Sequence, residues 1–250
     1  MGMLFKRSHS LIRLNLKLRD IIAQTDHRSW PAPAGAWIYY QEWNKAVFIH
    51  FRVDKDWLQQ QLPQGFVLET FDGDAWVSIV PFRMQKIRPR FLPHLNAVSD
   101  FSEINIRTYV TFDDKPGVFF MSIGANKKLS CYLAKTISGL PYKYEPYVFD
   151  DKHLATSWLS FDFEVGEEIK EKSAFDIWVT ERYCLYYNYK SSVFRYNIHH
   201  LPWPLYKVSL SNIQLTHPLL GEVFRPESFH YSPGVRVLAW RAEVVDMLTG

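Results

Sequence analysis

Cysteine is scarce in this chain of 250 residues, and its scarcity excludes several classes of protein. Cys131 and Cys184 are too few for a disulfide scaffold, and neither lies in a CxxC or Cys/His cluster that would bind a metal. A run of eighteen apolar residues, long enough to span a bilayer, is missing too. The apolar residues near the N-terminus are interrupted by charges, unlike the core of a signal peptide. We therefore expect a reduced, cytoplasmic protein without a transmembrane segment or a metal site.

An excess of charge of one sign is also lacking beyond the first 30 residues. Residues 1–30 hold six Lys or Arg and two Asp, whereas the remainder holds 23 basic and 24 acidic residues. No basic stripe interleaved with aromatic residues follows, so a nucleic-acid partner is not expected. The GxGxxG, Walker and GxSxG motifs are absent, so nothing indicates nucleotide binding or α/β-hydrolase chemistry, and no cofactor is predicted.

Aromatic residues are abundant, at 16% of the chain, and they favour half-buried strands. Alternating patterns bounded by turn residues predict roughly ten strands. Three helices are predicted between them: Asp54 opens DKDWLQQQL, residues 126–138 have a helical pattern before GLP, and Ser173 with Asp176 has the spacing of a capping box before AFDIWVT. Many strands with few helices indicate a mainly β (α+β) fold, either a closed barrel or a sandwich.

The N-terminal segment fits two patterns. Leu11, Leu14, Leu18 and Ile21 recur at helical spacing, although residues 12–18 also alternate like a strand. We favour a helix that packs on the body of the protein; a basic helix lying on an anionic membrane surface is the alternative, which would give peripheral membrane contact. HRSWPAPAGAW, which follows, is typical of a linker. The predicted organisation is a basic segment and linker over 1–36 and one domain over 37–250.

The stretch FSEINIRTYV, residues 101–110, is a strand with a polar face. Glu103, Asn105 and Arg107 lie on one side, and neighbours in this set are about 6.6 Å apart along a strand. Glu103 and Arg107, about 13 Å apart, cannot simply neutralise each other within the strand. The face is therefore either exposed to water or lines a ligand pocket in which other groups compensate the charges.

Five segments in order carry a resemblance to a known family. TFDGDAWVSIVPFRM, SEINIRTYV, the segment that ends in SGLPY, TERYCLYY and HHLPWPL resemble the YqjF-like family of uncharacterised bacterial proteins over residues 37–242. FRVDKDWLQQQLPQGFVLE is similar, more distantly, to the acetoacetate decarboxylase superfamily. The resemblance implies a closed or partly open β-barrel of the acetoacetate decarboxylase-like type with a few short helices.

The same resemblance implies roles for individual residues. Acetoacetate decarboxylases form a Schiff base through the first of two adjacent lysines that follow a Pro, and desolvation or a neighbouring cation activates that amine. In this chain Tyr142 stands in the place of that nucleophile and Lys143 in the place of the second lysine. A tyrosine cannot form the imine, so acetoacetate decarboxylation is not expected. Glu103 matches a glutamate of the catalytic pocket.

The resulting prediction is a small-molecule site inside the barrel, for a small carboxylate or oxo acid. As an enzyme, the chain would use Glu103 to move a proton, Tyr142 to donate a hydrogen bond and Lys143 to stabilise charge, while Arg107 and Asn105 bind the ligand. Two alternatives stay open: a barrel that binds a ligand without catalysis, and a polar network with a structural role only. Exposed aromatic strands would also suit a homodimer.

Overall fold

A computed structural model describes residues 18–132, 140–189, 191–220 and 225–247. Within these ranges, fourteen strands form one sheet, and the helices are short. The predicted mainly β fold is therefore confirmed. Residues 1–17, which include most of the predicted N-terminal helix, lie outside the described residues; its last part, Leu18–Ala23, is helical.

The elements are numbered in chain order. The helices are α1 (Leu18–Ala23), α2 (Lys55–Gln60), α3 (Asn96–Ser99) and α4 (Ala174–Thr180), and residues 128–132 are also helical. The strands are β1 (Tyr39–Val53), β2 (Val67–Leu68), β3 (Ala75–Pro89), β4 (Phe101–Phe112), β5 (Lys115–Ala125), β6 (Lys143–Tyr144), β7 (Val148–Phe149), β8 (His153–Ala155), β9 (Leu159–Glu168), β10 (Cys184–Tyr189), β11 (Ser192–His199), β12 (Tyr206–Leu215), β13 (Ser228–Ala239) and β14 (Glu243–Met247).

The central part of the sheet closes on itself. Seven strands pair in the order β13, β1, β3, β4, β5, β10 and β11, and β11 pairs back to β13 through Ile198 and His199. All of these pairings are antiparallel except β5 with β10. The sheet is thus ring-like, and the side chains on its inner face surround a common interior.

A second layer covers part of the outside of the ring. The sheet continues from β13 through β12, β9, β8 and β7. Phe161 and Leu154 of this layer share an apolar core with Ile79, Ile104 and Ile106 of the ring strands β3 and β4. The apolar face of the FSEINIRTYV strand therefore packs outward against the second layer, and its polar face points into the ring.

Helix α4 packs over one end of the ring interior. Its N-cap residue Ser173 accepts a hydrogen bond from the Asp176 N–H, and the Asp176 carboxylate accepts one from the Ser173 N–H, which confirms the predicted capping box. Phe175 packs against Trp76, with ring centroids 4.6 Å apart. The other short helix predicted from its cap, α2, is also confirmed, with Asp54 at its N-cap.

The described part of the N-terminal segment packs on the ring. Ile21 is buried in an apolar cluster with Trp37 and Trp240. Arg28 donates a hydrogen bond from Nη1 to the Ile198 carbonyl (2.9 Å), and His199 Nε2 lies 2.7 Å from the Ile21 carbonyl oxygen. The predicted boundary at residue 36 remains a prediction. Among the described helices, none is long and apolar enough to cross a membrane.

One glycine is required where β1 and β13 approach each other. Gly234 pairs with Asn44 and has φ +134°, and a Cβ at this position would lie 2.5 Å from the Trp43 carbonyl oxygen. We expect Gly234→Ala to reduce the free energy of unfolding by about 2–3 kcal/mol, because both the backbone angle and the contact oppose a side chain. Urea-induced unfolding measures this loss.

Gly73 offers the matched control for that substitution. It has φ +89° at the turn before β3, but a Cβ there would meet nothing within 4 Å. Gly73→Ala should therefore cost only the backbone penalty of about 1–2 kcal/mol. A loss that is no larger in Gly234→Ala than in Gly73→Ala would contradict the role assigned to the close approach.

Candidate functional site

Strand β4 supplies three polar side chains to the ring interior. Side chains alternate between the two faces of a strand, so Glu103, Asn105 and Arg107 point inward when Ile104 and Ile106 point outward. All three are buried, with relative exposures of 3% for Glu103, 3% for Asn105 and 6% for Arg107. The polar face of this strand is therefore a wall of the interior.

Tyr142 completes this polar wall from outside the strand. Its hydroxyl donates a hydrogen bond of 2.5 Å to Glu103 Oε2, and Asn105 Nδ2 donates one of 3.2 Å to Glu103 Oε1. The ring of Tyr142 meets the edge of Phe101 at a centroid distance of 6.1 Å. Both oxygens of the Glu103 carboxylate are thus fixed by donors.

Burial is the main influence on the pKa values of Glu103 and Tyr142. Burial raises the pKa of Glu103 to about 7, although hydrogen bonds from Tyr142 and Asn105 and the positive charge of Arg107 act in the opposite direction. Burial and the nearby Glu103 carboxylate hold the pKa of Tyr142 well above its usual value. Tyr142 therefore keeps its proton, whereas Glu103 exchanges one near neutral pH.

Arg107 is a buried cation without a carboxylate partner among the described residues. Its Nη2 donates to the Val179 carbonyl of α4 (3.1 Å), and its guanidinium lies 5.5 Å from the centre of the Phe48 ring. Neither Arg107 Nε nor Asn105 Oδ1 has a hydrogen-bond partner in the described part of the chain. Burial lowers the pKa of Arg107 from its ordinary value, but a guanidinium remains charged in proteins. Such a group is suited to receive an anion.

A cavity of about 270 Å³ lies against the polar wall. Glu103, Asn105, Arg107 and Tyr142 all line it, so the structure brings four of the five predicted site residues together. The rest of its lining is mostly apolar and includes Trp43, Phe48, Phe82, Leu185, Ile198 and Trp203. At one end the lining residues are Pro89, Leu92, Pro93 and Leu95, from the end of β3 and the loop that follows it.

The structure does not bring the fifth predicted residue, Lys143, to this cavity. Lys143 lies on the two-residue strand β6, pairs with Gly124 of β5 and is exposed. Neighbouring residues of an extended chain point to opposite sides, so the inward position of Tyr142 directs Lys143 outward. Gly139, the glycine of the SGLPY segment, lies outside the described residues.

Sequence reasoning missed a chain of buried hydrogen bonds behind the cavity. Side chains from α4, β13, β1, β3 and β4 follow one another in the order Asp176, His230, His50, Ser78 and Tyr109. The successive distances are 2.8, 3.1, 2.7 and 2.5 Å. The only signal in the sequence is a histidine in each of two otherwise apolar strand patterns, FIHF and SFHY.

The protonation states of these five residues determine which partner donates in each hydrogen bond. Burial lowers the pKa of both His50 and His230, so both rings are neutral, and hydrogen bonds lower the pKa of Asp176 although burial opposes them. Because the Asp176 carboxylate only accepts, His230 donates to it, and His50 donates to His230. Ser78 then donates to His50 and Tyr109 to Ser78. Every link of the chain is satisfied.

The raised pKa of Glu103 predicts a pH-dependent stability. Between the ordinary value of 4.5 and about 7, unfolded Glu103 ionises while folded Glu103 keeps its proton, so the folded state loses stability as pH rises through this range. The separation corresponds to about 3 kcal/mol at pH 8. Glu103→Gln removes this titration, so its stability relative to the wild type should increase by about that amount between pH 4 and pH 8.

Chemical denaturation of both proteins across this pH range measures the difference. Tyr142→Phe serves as a second variant: it removes a hydrogen bond to the carboxylate and should move the Glu103 transition to higher pH. Parallel stability curves for the wild type and Glu103→Gln would show that Glu103 does not titrate near neutrality.

Comparisons with known proteins identify the family and the fold. The model of the DUF2071 family, described as an uncharacterized conserved protein, matches residues 40–236. The uncharacterized protein YqjF of Bacillus subtilis (strain 168) is 34% identical over 233 residues, which cover 83% of this chain and 93% of YqjF. The predicted resemblance to the YqjF-like family is confirmed.

Several solved structures, acetoacetate decarboxylases among them, share the fold. Acetoacetate decarboxylase from Legionella pneumophila superposes with a TM-score of 0.59 at 16% identity, over 89% of this chain and 94% of that one. The enduracididine biosynthesis enzyme MppR complexed with pyruvate gives a TM-score of 0.57 at 11% identity, over 89% and 94% of the two chains. The predicted acetoacetate decarboxylase-like fold is thus confirmed, and the chain belongs to the DUF2071 family.

Proposed function

We propose that this protein binds a small oxo acid in the cavity of the ring and exchanges a proton with it through Glu103. The observation that carries the proposal is the buried Arg107, which lines the same cavity as Glu103 and has no carboxylate partner among the described residues. An unpaired buried charge costs several kcal/mol, and a ligand carboxylate would compensate it.

The donors and acceptors on the polar wall suit both ends of such a ligand. Arg107 Nε has no hydrogen-bond partner among the described residues and can donate to the ligand carboxylate. Glu103, with a pKa of about 7, is available in both protonation states at neutral pH. A general base works best when its pKa lies near the operating pH. MppR, which shares the fold, has been crystallised with pyruvate, and this agrees with an oxo acid ligand.

The proposed chemistry is proton transfer at the carbon next to the ligand carbonyl. The Glu103 carboxylate takes the proton from that carbon, the electron pair moves onto the carbonyl oxygen to give an enolate, and the reverse step returns a proton. Arg107 supplies positive potential beside the developing negative charge, and the Tyr142 hydroxyl, which donates to Glu103, holds that carboxylate in place. The step requires no Schiff base, in keeping with Tyr142 at the place of the decarboxylase lysine and with Lys143 outside the cavity.

Binding of pyruvate tests the role of Arg107. Arg107→Gln keeps a donor for the Val179 carbonyl but removes the charge, so the affinity for pyruvate should fall by about 10- to 100-fold, as expected for the loss of a charge-assisted hydrogen bond. Isothermal titration calorimetry measures the affinities. Arg52→Gln is the control, because Arg52 pairs with Asp74 and Glu227 away from the cavity and should leave the affinity unchanged. Equal affinity in the wild type and Arg107→Gln would refute this anchor.

Hydrogen exchange separates catalysis from binding alone. In D₂O the wild type should speed the exchange of the methyl protons of pyruvate, followed by NMR, and Glu103→Gln should reduce the rate by about 100-fold or more. The Gln variant should still bind pyruvate, because Arg107 is retained. If the wild type binds pyruvate without faster exchange, the cavity is a binding site and Glu103 has no catalytic role there.

A further inference from the structure

The cavity is larger and more apolar than a pyruvate-sized ligand requires. An apolar cavity of about 150 Å³ is already large enough to hold benzene, and the cavity in this ring measures about 270 Å³. Beyond the polar wall, its lining includes the rings of Trp43, Phe82 and Trp203. Trp43 and Trp203 stack with their centroids 6.1 Å apart, and Phe82 lies 5.5 Å from Trp43. A short oxo acid held at Glu103 and Arg107 would fill only part of this space.

The cavity is also elongated along β4. Phe101 and Arg107 both line it and are six residues apart on this strand, which corresponds to roughly 20 Å. The polar groups occupy the part between Glu103 and Arg107, whereas the lining continues past Phe101 to Leu92 and Leu95. A ligand that fills this space has a polar head at one end and an apolar body toward the other.

The lining at the end of the cavity beyond Phe101 is mostly apolar as well. Leu92 and Leu95 line the cavity and are 58% and 65% exposed, so they form an apolar entrance. Phe91 beside them is 87% exposed. Arg88, which also lines this end, holds its guanidinium 4.8 Å from the centre of the Tyr40 ring and donates to the Arg90 carbonyl. An entrance of this kind favours a ligand with a hydrophobic part.

From these observations we infer that the ligand is an oxo acid with an apolar body of at least about six carbons, as an aliphatic chain or an aryl group. This inference rests on the proposed function, since Arg107 and Glu103 receive the acid head. The apolar body lies along Trp43, Phe82 and Trp203 and extends toward Leu92 and Leu95. Apolar contact supplies most of the affinity, and the polar wall fixes the orientation.

A homologous series of straight-chain 2-oxo acids tests the ligand class. We expect the affinity to rise about fourfold for each added CH₂ from 2-oxobutanoate onward, because each buried CH₂ contributes a constant increment, and to level off when the cavity is full. Titration calorimetry with the full chain measures each affinity below the concentration at which the acid forms micelles. The alcohol of matching length is the control for non-specific apolar binding and should bind at least about tenfold more weakly than the acid.

Two variants of the apolar lining test whether the preferred ligand length is set by this cavity. Ala239→Leu adds three carbons to the lining and should shorten the optimal ligand by about that number, whereas Phe82→Leu enlarges the space and should lengthen it. Thermal unfolding of each variant verifies that it is folded. If Ala239→Leu does not fold, Phe82→Leu alone tests the length dependence. If the folded variants prefer the same ligand length as the wild type, the apolar body of the ligand lies outside this cavity and the inference is overturned.

The series separates the two proposals. If short and long acids bind with the same affinity and Arg107→Gln weakens both, the oxo acid site stands and the inference about its apolar body fails. If no acid of the series binds to the wild type, the proposed function itself fails. If the alcohols bind as tightly as the acids, the cavity holds an apolar ligand without the acid head, and both proposals are wrong.

Discussion

The burial of both faces of strand β4 is the constraint on which the rest of the structure depends. The first ten residues of this strand are all buried, so neither its apolar nor its polar side reaches water. The apolar side is satisfied by the second layer of the sheet. The polar side requires hydrogen-bond partners inside the ring, because a buried charge without them costs several kcal/mol. Tyr142, Asn105 and the carbonyl of Val179 are positioned to provide them.

The polar side of β4 finds only some of the partners that it needs within the protein, and the missing ones are those that a ligand could supply. Glu103 has donors on both oxygens, yet burial still raises its pKa to about 7. Arg107 has a carbonyl partner but no carboxylate in the described ranges. A purely structural network would gain stability if these charges were paired or replaced by apolar groups. Stability lost at a cavity wall in this way is typical of a site that is completed by a ligand.

The buried polar side chains that link α4 to the ring differ from Glu103 and Arg107, because each of them has a hydrogen-bond partner within the protein. The hydrogen bonds from Tyr109 to Asp176 form an unbroken chain, and its two histidines are neutral. This chain of hydrogen bonds joins α4 to four ring strands, and Arg107 donates to the Val179 carbonyl of the same helix. The hydrogen bonds of this chain are thus all satisfied, whereas the opposite end of the interior has a mostly apolar lining.

The sequence by itself determined the local structure: the strand alternation of FSEINIRTYV, the caps at Asp54 and Ser173, and the motifs that identify the family. These follow from neighbouring residues, whose spacing fixes the local hydrogen bonds and the side on which each residue lies. Alternation alone, however, does not reveal which side faces the interior. The resemblance to the decarboxylases implied a polar site inside the barrel, whereas only the tertiary structure decided that Arg107 has no carboxylate partner among the described residues, that Lys143 points away, and that His50 meets His230, 180 residues later. Each of these depends on strands distant in sequence that pair around the ring.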